Sequence, residues 1–432
     1  MPLMRLFFAT MILSLSLTAC TAVTTPTSPP VGFTTESSPT EIPATATSTP
    51  SPTSTQMPTP FGANFTRTPG PVPTRTPVVT SPPLATPDAI GTPGFESEGP
   101  GILYQAAGLT LSNLDGSQKN GYASVPRLET WNSDFSPQAG RLVYESGKSL
   151  WTLDLGRGSQ NIFSSDQYIE SPAISLDGAK IAYSLVGFGS VDLQQLWTIH
   201  PDGSENTLVV DNTSRYITDP GPFRLVPSAW SLDDTRLYMV TTTDSEATPV
   251  GMYVVDLTTG EIEKALTPQV TLWDLSFSPD RTMIAYRTFQ WIPVQGSMPE
   301  AGPPFTLQVT ELATDRTSIL QESDTFEYYH PVWSPDTSRL AYMVHSRQLG
   351  GEIGLFTIDL ATGAAIRLVP GSQGSELQPW AWLGADRLAY TEVIPSSEDN
   401  SSSSVTLYTI KIDGSEKHVV DSANYVLGVL DN

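Results

Sequence analysis

The chain has 432 residues with 22 Lys+Arg against 45 Asp+Glu, a formal charge of −23, and it contains one Cys and four His. The acidic balance argues against nucleic acid as a ligand, because affinity for nucleic acid comes from Lys and Arg side chains that neutralise phosphates. A single Cys excludes an intramolecular disulfide and a Cys-based zinc cluster, and four His leave little material for a multi-histidine metal site. The length allows up to three domains of roughly 150 residues, or one large repeat domain.

Residues 1–19 have the features of an export signal. Arg5 is the only charge, and the apolar run from Leu6 to Leu17 is too short to span a bilayer core of roughly 30 Å. The run ends in Leu17-Thr18-Ala19-Cys20, which resembles the lipobox of bacterial lipoproteins. That resemblance implies cleavage before Cys20 and acylation of its thiol; an ordinary secretory signal with a chance cysteine is the alternative. We therefore expect a lipid-anchored protein on the extracytoplasmic face of the cell membrane or outer membrane.

Residues 20–98 combine this lipidated cysteine with a linker of unusual composition. Residues 21–98 contain 17 Pro, 20 Thr and 8 Ser among 78 residues. Such a segment lacks the apolar surface that offsets the entropy of ordering, and frequent Pro removes backbone hydrogen-bond donors. The composition predicts a disordered, partly polyproline-II stalk.

Residues 99–432 are periodic. Six segments share an apolar strand, a Ser-Pro-Asp-like turn and a second strand, and the position of the turn serine is occupied by Ser136, Ser175, Ser231, Ser278, Ser334 and Leu383. The spacings are 39, 56, 47, 56 and 49 residues. Repeats of about 40 to 50 residues are typical of propeller blades.

Each repeat is predicted to contain four strands. Pro and Asp set the tight turn after the first strand, and the second strand usually carries a Tyr eight residues after the turn serine. The third strand alternates apolar and polar residues, as in MYVVDLTTG and LFTIDLATG, and a weaker fourth strand follows. The sequence therefore predicts an all-β fold.

The two ends of the repeat region complement each other. Residues 102–114 supply a second and a third strand without a first, whereas the segment from Tyr425 supplies a first strand alone. Joining them closes a ring and removes the exposed sheet edges that favour aggregation. Six full repeats and one shared blade predict a seven-bladed propeller, with six or eight blades as alternatives.

These turn and strand elements resemble the WD-like repeats of the TolB propeller and of the propellers in prolyl oligopeptidase relatives. The resemblance implies a β-propeller for residues 99–432, although the TolB propeller has six blades. The small N-terminal domain of TolB is replaced here by the linker, so its partnership with peptidoglycan-associated lipoprotein is not carried over.

No catalytic centre is indicated. The Gly-x-Ser-x-Gly motif of the peptidase relatives does not occur in the chain. His330 and His345 could approach each other, but a third metal ligand is not evident, and the acidic stretch 396–404 lacks the spacing of a calcium loop. We therefore expect no catalytic residue, no metal and no cofactor.

Long insertions are predicted on one face of the propeller, at residues 211–227, 288–305, 322–330 and 393–404. Loops on a rigid scaffold often carry binding residues, and Tyr, Trp and Arg dominate binding hot spots. The candidate ligand-binding residues are Arg215, Tyr216, Phe223, Arg224, Phe289, Trp291, Tyr328, Tyr329 and Arg347. The expected function is a monomeric, non-enzymatic binding or scaffold module for a protein, peptide or glycan. The alternative is a metal-dependent lyase or hydrolase that acts on carbohydrate at the channel mouth.

Overall fold

The computed structural model describes residues 100–128, 131–187, 194–211, 223–243, 249–266, 271–293, 300–348, 353–372, 374–395 and 403–430. The predicted signal peptide, the lipidation site Cys20 and the predicted stalk lie outside these residues. Within the described ranges the regular structure consists of β-strands, and no helix there is long and apolar enough to cross a membrane.

The described strands form seven antiparallel sheets of four strands each, which we number as blades in chain order. Blade 1 contains β1 (Gly101–Gln105), β2 (Leu109–Asn113), β3 (Asn120–Tyr122) and the last strand, β28 (Tyr425–Leu430). Blade 2 contains β4 (Ser133–Ser136), β5 (Arg141–Ser146), β6 (Ser149–Asp154) and β7 (Gly158–Ser164). Blade 3 contains β8 (Tyr168–Ile174), β9 (Ile181–Val186), β10 (Gln194–Ile199) and β11 (Thr207–Asp211).

The remaining four blades repeat this arrangement. Blade 4 contains β12 (Phe223–Trp230), β13 (Arg236–Thr243), β14 (Pro249–Asp256) and β15 (Ile262–Leu266). Blade 5 contains β16 (Thr271–Phe277), β17 (Met283–Ile292), β18 (Glu300–Glu311) and β19 (Arg316–Ser323). Blade 6 contains β20 (Phe326–Trp333), β21 (Arg339–Ser346), β22 (Gly354–Asp359) and β23 (Ala365–Pro370). Blade 7 contains β24 (Glu376–Leu383), β25 (Arg387–Pro395), β26 (Ser403–Lys411) and β27 (His418–Asp421).

The first strands of the blades line the ring. They contact one another from β4 through β8 to β12, and from β16 through β20, β24 and β28 back to β4, while β14 joins blade 4 to β16. The last strand, β28, pairs with β1 and supplies the first strand of blade 1. The predictions of an all-β fold, of seven blades and of closure by the C-terminal strand are confirmed.

The Ser-Pro-Asp-like turns are held by their own side chains. In blade 3, Ser175 Oγ donates to Asp177 Oδ1 at 2.7 Å and accepts a hydrogen bond from the Lys180 N–H at 3.0 Å. The corresponding Ser–Asp bond is 2.6 Å long in blades 4, 5 and 6. These bonds favour one register of the first hairpin in each of these four blades, because they satisfy the turn locally.

Tryptophans that directly precede the turn connect blades 4, 6 and 7 to the blade before each of them. The indole N–H groups of Trp230, Trp333 and Trp382 donate to backbone carbonyls of the preceding blade at 3.1, 2.9 and 3.0 Å. The three side chains are buried between neighbouring blades. A buried indole that also satisfies its N–H combines a large apolar contact with a directional one.

Tyrosines in the second strands fill the space between the blades. Five repeats place a tyrosine there and one places a methionine, and all six are buried: Tyr144, Tyr183, Met239, Tyr286, Tyr342 and Tyr390. Burial raises the pKa of several of these phenols, which therefore remain neutral at physiological pH. The core thus consists of successive inter-blade layers rather than one central cluster.

Candidate functional site

The described parts of the predicted recognition loops are mostly strand, which corrects the expectation for those parts; residues 212–222, 294–299 and 396–402 lie outside the described residues. Residues 288–292 and 300–305 belong to β17 and β18, and residues 393–395 and 403–404 belong to β25 and β26. In the predicted connection 322–330 only residues 324–325 lie outside strands, and in 211–227 residue 211 ends β11 while residues 223–227 belong to β12. The length of these insertions suggested loops, whereas their described ends continue the paired strands of the hairpins.

The β17–β18 hairpin extends beyond the other strands of blade 5. Thr271, the first residue of β16, lies opposite Phe289, so residues 290–292 pair with β18 alone. Trp291 lies opposite Ala301 in this extension. Side chains near the end of the hairpin face blade 6 and are held by the two-strand pairing, which makes their positions more defined than those on an unpaired loop.

Arg287 lies at the centre of a group of aromatic side chains. Its guanidinium carbon is 4.2 Å from the ring centroid of Tyr329, 5.5 Å from that of Phe289 and 5.7 Å from that of Trp273. Its Nε donates to Asp274 Oδ2 at 2.8 Å. The positive charge of Arg287 is therefore neutralised by one carboxylate and surrounded by three aromatic rings. This arrangement restrains the arginine and its four partner side chains.

Asp274 also connects blade 5 to blade 6. Its Oδ2 accepts a hydrogen bond from the His330 N–H at 3.2 Å, and its Oδ1 lies 3.9 Å from His330 Nδ1. Asp274 and His330 both have positive φ, of 53° and 51°, at register shifts in their strands. This backbone conformation is uncommon for residues with a side chain, so the cross-blade contacts hold two locally unfavourable bulges in place.

Arg347 braces the extended hairpin from blade 6. Its Nε lies 3.1 Å from Glu327 Oε1, and its Nη1 donates to the Ala301 carbonyl of β18. The guanidinium carbon lies 5.2 Å from the ring centroid of Phe305, and Glu327 also accepts a hydrogen bond from the Tyr329 hydroxyl. The arginine therefore joins β18 to the buried Glu327 of blade 6.

Trp291 and Ile292 present apolar surface at the end of the hairpin. Their side chains are 42% and 45% exposed, whereas Phe289 is buried and meets the Trp291 ring edge-to-face at 5.1 Å. Ile292 folds over Gly302, where an added Cβ would lie 1.9 Å from Ile292 Cδ1. A side chain at position 302 would therefore displace the exposed Ile292 side chain, and the Trp291 ring packs against the buried Phe289 ring.

We call these ten residues the aromatic–arginine cluster: Trp273, Asp274, Arg287, Phe289, Trp291, Phe305, Glu327, Tyr329, His330 and Arg347. Of the residues proposed from the sequence, the structure brings Phe289, Trp291, Tyr329 and Arg347 together in it. The cluster combines an exposed indole with two internally paired arginines, a composition suited to contact with another molecule.

The other candidates lie elsewhere. Arg224 pairs with Glu170 of blade 3 at 2.9 Å, and Tyr328 is buried beside Tyr342 in the core between blades 5 and 6, where burial raises its pKa. Phe223 begins β12. Arg215 and Tyr216 lie outside the described residues.

Sequence reasoning missed five members of the cluster: Trp273, Asp274, Arg287, Phe305 and Glu327. A strand period of two gives part of the signal, because Arg287, Phe289 and Trp291 alternate along β17 and share one face. Trp273 could have been assigned to the same group from the strand pairing, because it lies opposite Arg287. Glu327 of blade 6 has no such signal in the sequence.

The two histidines considered as metal ligands do not form a metal site with the groups around them. His345 lies opposite Glu327 in the strand register, and His330 faces Asp274. Across the described ranges, no group of three or more His, Cys, Asp or Glu side chains is arranged to hold a metal ion.

Two shallow clefts lie away from the cluster. One of about 370 Å³ lies between blades 1 and 7, with Asp115, Arg387 and His418 in its wall. Another of about 260 Å³ lies between blades 3 and 4, beside Lys180 and His200. The cluster residues line neither cleft; Trp291, Arg347 and His330 are partly exposed at the boundary of blades 5 and 6, whereas Phe289, Phe305 and Glu327 are buried.

No protein-family model and no curated protein sequence matches the chain. Similar solved structures include a putative TolB from Agrobacterium tumefaciens, which is 16% identical, with 63% of this chain and 90% of that chain covered and a TM-score of 0.41. TolB from Acinetobacter baumannii is also 16% identical, with 76% and 81% covered and a TM-score of 0.40.

An oligogalacturonate lyase solved in complex with manganese is 14% identical, with 68% of this chain and 78% of that chain covered and a TM-score of 0.47. These neighbours include both TolB and enzymes. At such identities the likeness concerns the β-propeller fold alone.

Proposed function

We propose that the protein is a non-enzymatic, membrane-anchored binding module outside the cytoplasm, and that the aromatic–arginine cluster holds its protein, peptide or glycan partner. The observation that carries the proposal is the exposed Trp291, which rests on Phe289 and is braced through Arg287 and Arg347 by two blades. Large aromatic side chains that are already ordered lose little conformational entropy on binding.

Rigidity at this site has a specific source. The cluster is connected across the blade boundary by the Asp274–His330 contact and by the hydrogen bond from Arg347 to the Ala301 carbonyl. A partner would therefore meet a surface whose side chains are fixed by charge pairs beneath it, with Trp291 exposed at the edge. Such preformed anchors surrounded by less energetic contacts are typical of binding hot spots.

Replacing Trp291 with Ala is expected to weaken partner binding by about 30-fold, because a hot-spot aromatic contributes about 2 kcal/mol or more. The thermal midpoint should change little, since the indole is largely outside the core. Binding of the detergent-solubilised full chain to peptide and glycan arrays identifies a ligand, and titration of that ligand measures the change.

Trp131→Ala is the matched control, because Trp131 in blade 2 is 49% exposed and lies outside the cluster. Tyr329→Phe adds a finer comparison: it removes only the hydroxyl that donates to Glu327. Equal ligand affinity for wild type and Trp291→Ala would contradict the proposed surface, as would equal losses in the Trp131 and Trp291 variants.

The proposed membrane anchor depends on Cys20, the single cysteine of the chain, at the end of the lipobox-like segment. In cells fed an alkyne-tagged fatty acid, wild type should incorporate the tag and partition into the detergent phase. Cys20→Ser should incorporate none, because serine offers no thiol for acylation. Labelling of the serine variant equal to that of wild type would contradict lipidation at this residue.

A further inference from the structure

We infer that a small oxyanion, a phosphate or a carboxylate group, binds at the end of the ring where the Ser-Pro-Asp-like turns lie, with Arg281 and Tyr238 as its hydrogen-bond donors. The inference is independent of the proposed function, because Arg281 precedes β17 whereas Trp291 lies near the other end of that strand. Two observations carry it: both donors lack an acceptor, and Arg281 faces the inside of the ring.

The turn of blade 5 does not need an arginine at position 281. The third residue after the turn serine has positive φ in four blades, namely Gly178, Asp234, Arg281 and Thr337 with 70°, 52°, 55° and 60°. Because these residues differ in chemistry, the turn conformation alone does not explain the arginine. An added Cβ at Gly178 would lie 2.4 Å from Ala139 Cβ of blade 2, so side chains at this position are directed toward the preceding blade.

The Arg281 side chain is partly buried and has no partner for its charge. Its Nε is buried without a hydrogen-bond acceptor, and across the described ranges the arginine forms no ion pair. Its guanidinium carbon lies 5.8 Å from the ring centroid of Phe277. Burial lowers the pKa of Arg281, because removal from water disfavours the charged form. A cation in such a place is stabilised by an anion that supplies the missing hydrogen bonds.

Tyr238 supplies a second donor from blade 4. Its ring centroid lies 5.1 Å from that of Phe277, and the residue interacts electrostatically with Arg281. Burial raises the pKa of Tyr238, so its hydroxyl keeps its proton at neutral pH, and no acceptor for this hydroxyl is found among the described residues. A guanidinium and a phenol hydroxyl beside one aromatic ring suit an oxyanion, whose oxygen atoms accept several hydrogen bonds.

The electrostatic contact between Arg281 and Asp134 shows that the arginine faces the inside of the ring. Asp134 belongs to blade 2, which blades 3 and 4 separate from blade 5, so the two charges interact across the space that the first strands enclose. The Asp134 carboxylate accepts hydrogen bonds from the N–H groups of Phe135 and Ile174, both at 2.9 Å. These bonds hold the carboxylate on the blade 2 side, and the guanidinium remains available to a ligand.

The charge of the protein limits the size of this ligand. A formal charge of −23 repels extended polyanions such as nucleic acids and anionic lipid surfaces. One guanidinium and one hydroxyl satisfy a single anionic group. A free phosphate ion, or one phosphoryl or carboxylate group of a small molecule, therefore fits the site better than a polymer does.

Isothermal titration calorimetry of the detergent-solubilised full chain in HEPES buffer tests the site with sodium phosphate, sodium acetate and acetamide. At least one of the two anions should bind with one ion per chain, and the anion that binds identifies the ligand as a phosphate or a carboxylate. Acetamide should not bind, because it has the size of acetate without the charge. Arg281→Gln should weaken anion binding at least 10-fold, and Tyr238→Phe, which removes only the hydroxyl, about 5-fold.

Arg157→Gln is the matched control, because Arg157 is exposed in the turn between β6 and β7 and its loss changes the net charge equally. Its anion affinity should equal that of wild type. Arg281→Gly is a second test variant that fits the positive φ of the turn, as Gly178 does in blade 3, and it should lose binding as Arg281→Gln does. Absence of anion binding in wild type, equal affinities of wild type and both Arg281 variants, or an equal loss in Arg157→Gln would overturn the inference. None of these outcomes bears on partner binding at Trp291.

Discussion

A chain that ends at Asn424 is expected to lose its single cooperative thermal transition and to aggregate at concentrations where the full chain does not. The deletion removes β28 and leaves blade 1 without its first strand. Both β1 and the neighbouring first strands then lose a partner, and β1 becomes an exposed sheet edge available for association. Differential scanning calorimetry and light scattering measure the two effects.

The expected loss is large because β28 is central to two core layers. It pairs with β1 from Gly101 opposite Leu430 to Gln105 opposite Tyr425. Tyr425 packs in the layer between blades 1 and 2, while Val426 and Val429 pack in the layer between blades 7 and 1. Removing a buried apolar side chain of this size costs about 2–5 kcal/mol, and several are removed together.

Gly428 provides a point mutation for the same closure. A Cβ at position 428 would lie 2.1 Å from Phe135 Cδ1 in blade 2, so Gly428→Val forces the closing strand away from its neighbour. Gly121→Val in β3 is the control, because an added Cβ at Gly121 meets nothing within 4 Å. Unchanged melting of both the truncated chain and Gly428→Val would contradict the closed ring.

The blades could be predicted from the sequence because each carries its own local signals. The Ser175–Asp177 hydrogen bond joins residues two positions apart in the chain, and the tyrosine eight residues after the serine, such as Tyr183, follows from strand alternation. Closure was also predictable, since a lone first strand at Tyr425 complements a blade that lacks one. The turns and the tyrosine positions depend on residues that are near one another in the chain. Ring closure follows from the number of strands that each end of the repeat region supplies.

The cluster could not be predicted in the same way because it forms across a blade boundary. Asp274 meets His330 only because both residues lie at bulges in adjacent first strands, and a bulge changes where a side chain points without a clear sequence pattern. Arg287 was likewise hidden, since its partners Asp274 and Tyr329 come from other strands. The loop prediction was wrong for the described ends of these segments for a related reason: hairpin pairing beyond Thr271 is a property of the folded sheet.

The pKa values of the adjacent residues Asp233 and Asp234 in the blade 4 turn shift in opposite directions, and only the folded structure explains the difference. Asp233 accepts hydrogen bonds from Ser231 and Thr235, which lower its pKa to about 2. Asp234 is 8% exposed, and its Oδ1 has no hydrogen-bond partner within the described ranges. Burial, followed by the nearby carboxyl group of Asp177, raises its pKa to about 6, while Lys180 donates to its backbone carbonyl rather than to its carboxylate.

Asp234→Asn is therefore expected to raise the thermal midpoint at pH 7.5 and to have little effect near pH 4. In the unfolded chain Asp234 ionises near its ordinary pKa of 3.8, whereas the folded protein keeps its proton up to about pH 6. The contribution of Asp234 to the free energy of unfolding is thus fully present below pH 3.8. It is lost as the pH rises through about 6, because the folded state must then bury the charge. Thermal melts of wild type and variant between pH 4 and 8 measure the difference.

Asp233→Asn is the matched comparison, because it changes the same turn with the opposite sign. The lowered pKa of Asp233 gives stability that is present above about pH 3.8 and is lost as the pH falls toward 2, so its replacement should lower the midpoint at pH 7.5. If both variants shifted the midpoint in the same direction at pH 7.5, the buried charge of Asp234 would not be the cause. Opposite shifts of the thermal midpoint, with the increase in Asp234→Asn growing between pH 4 and 6, would show that the buried charge of Asp234 destabilises the wild type.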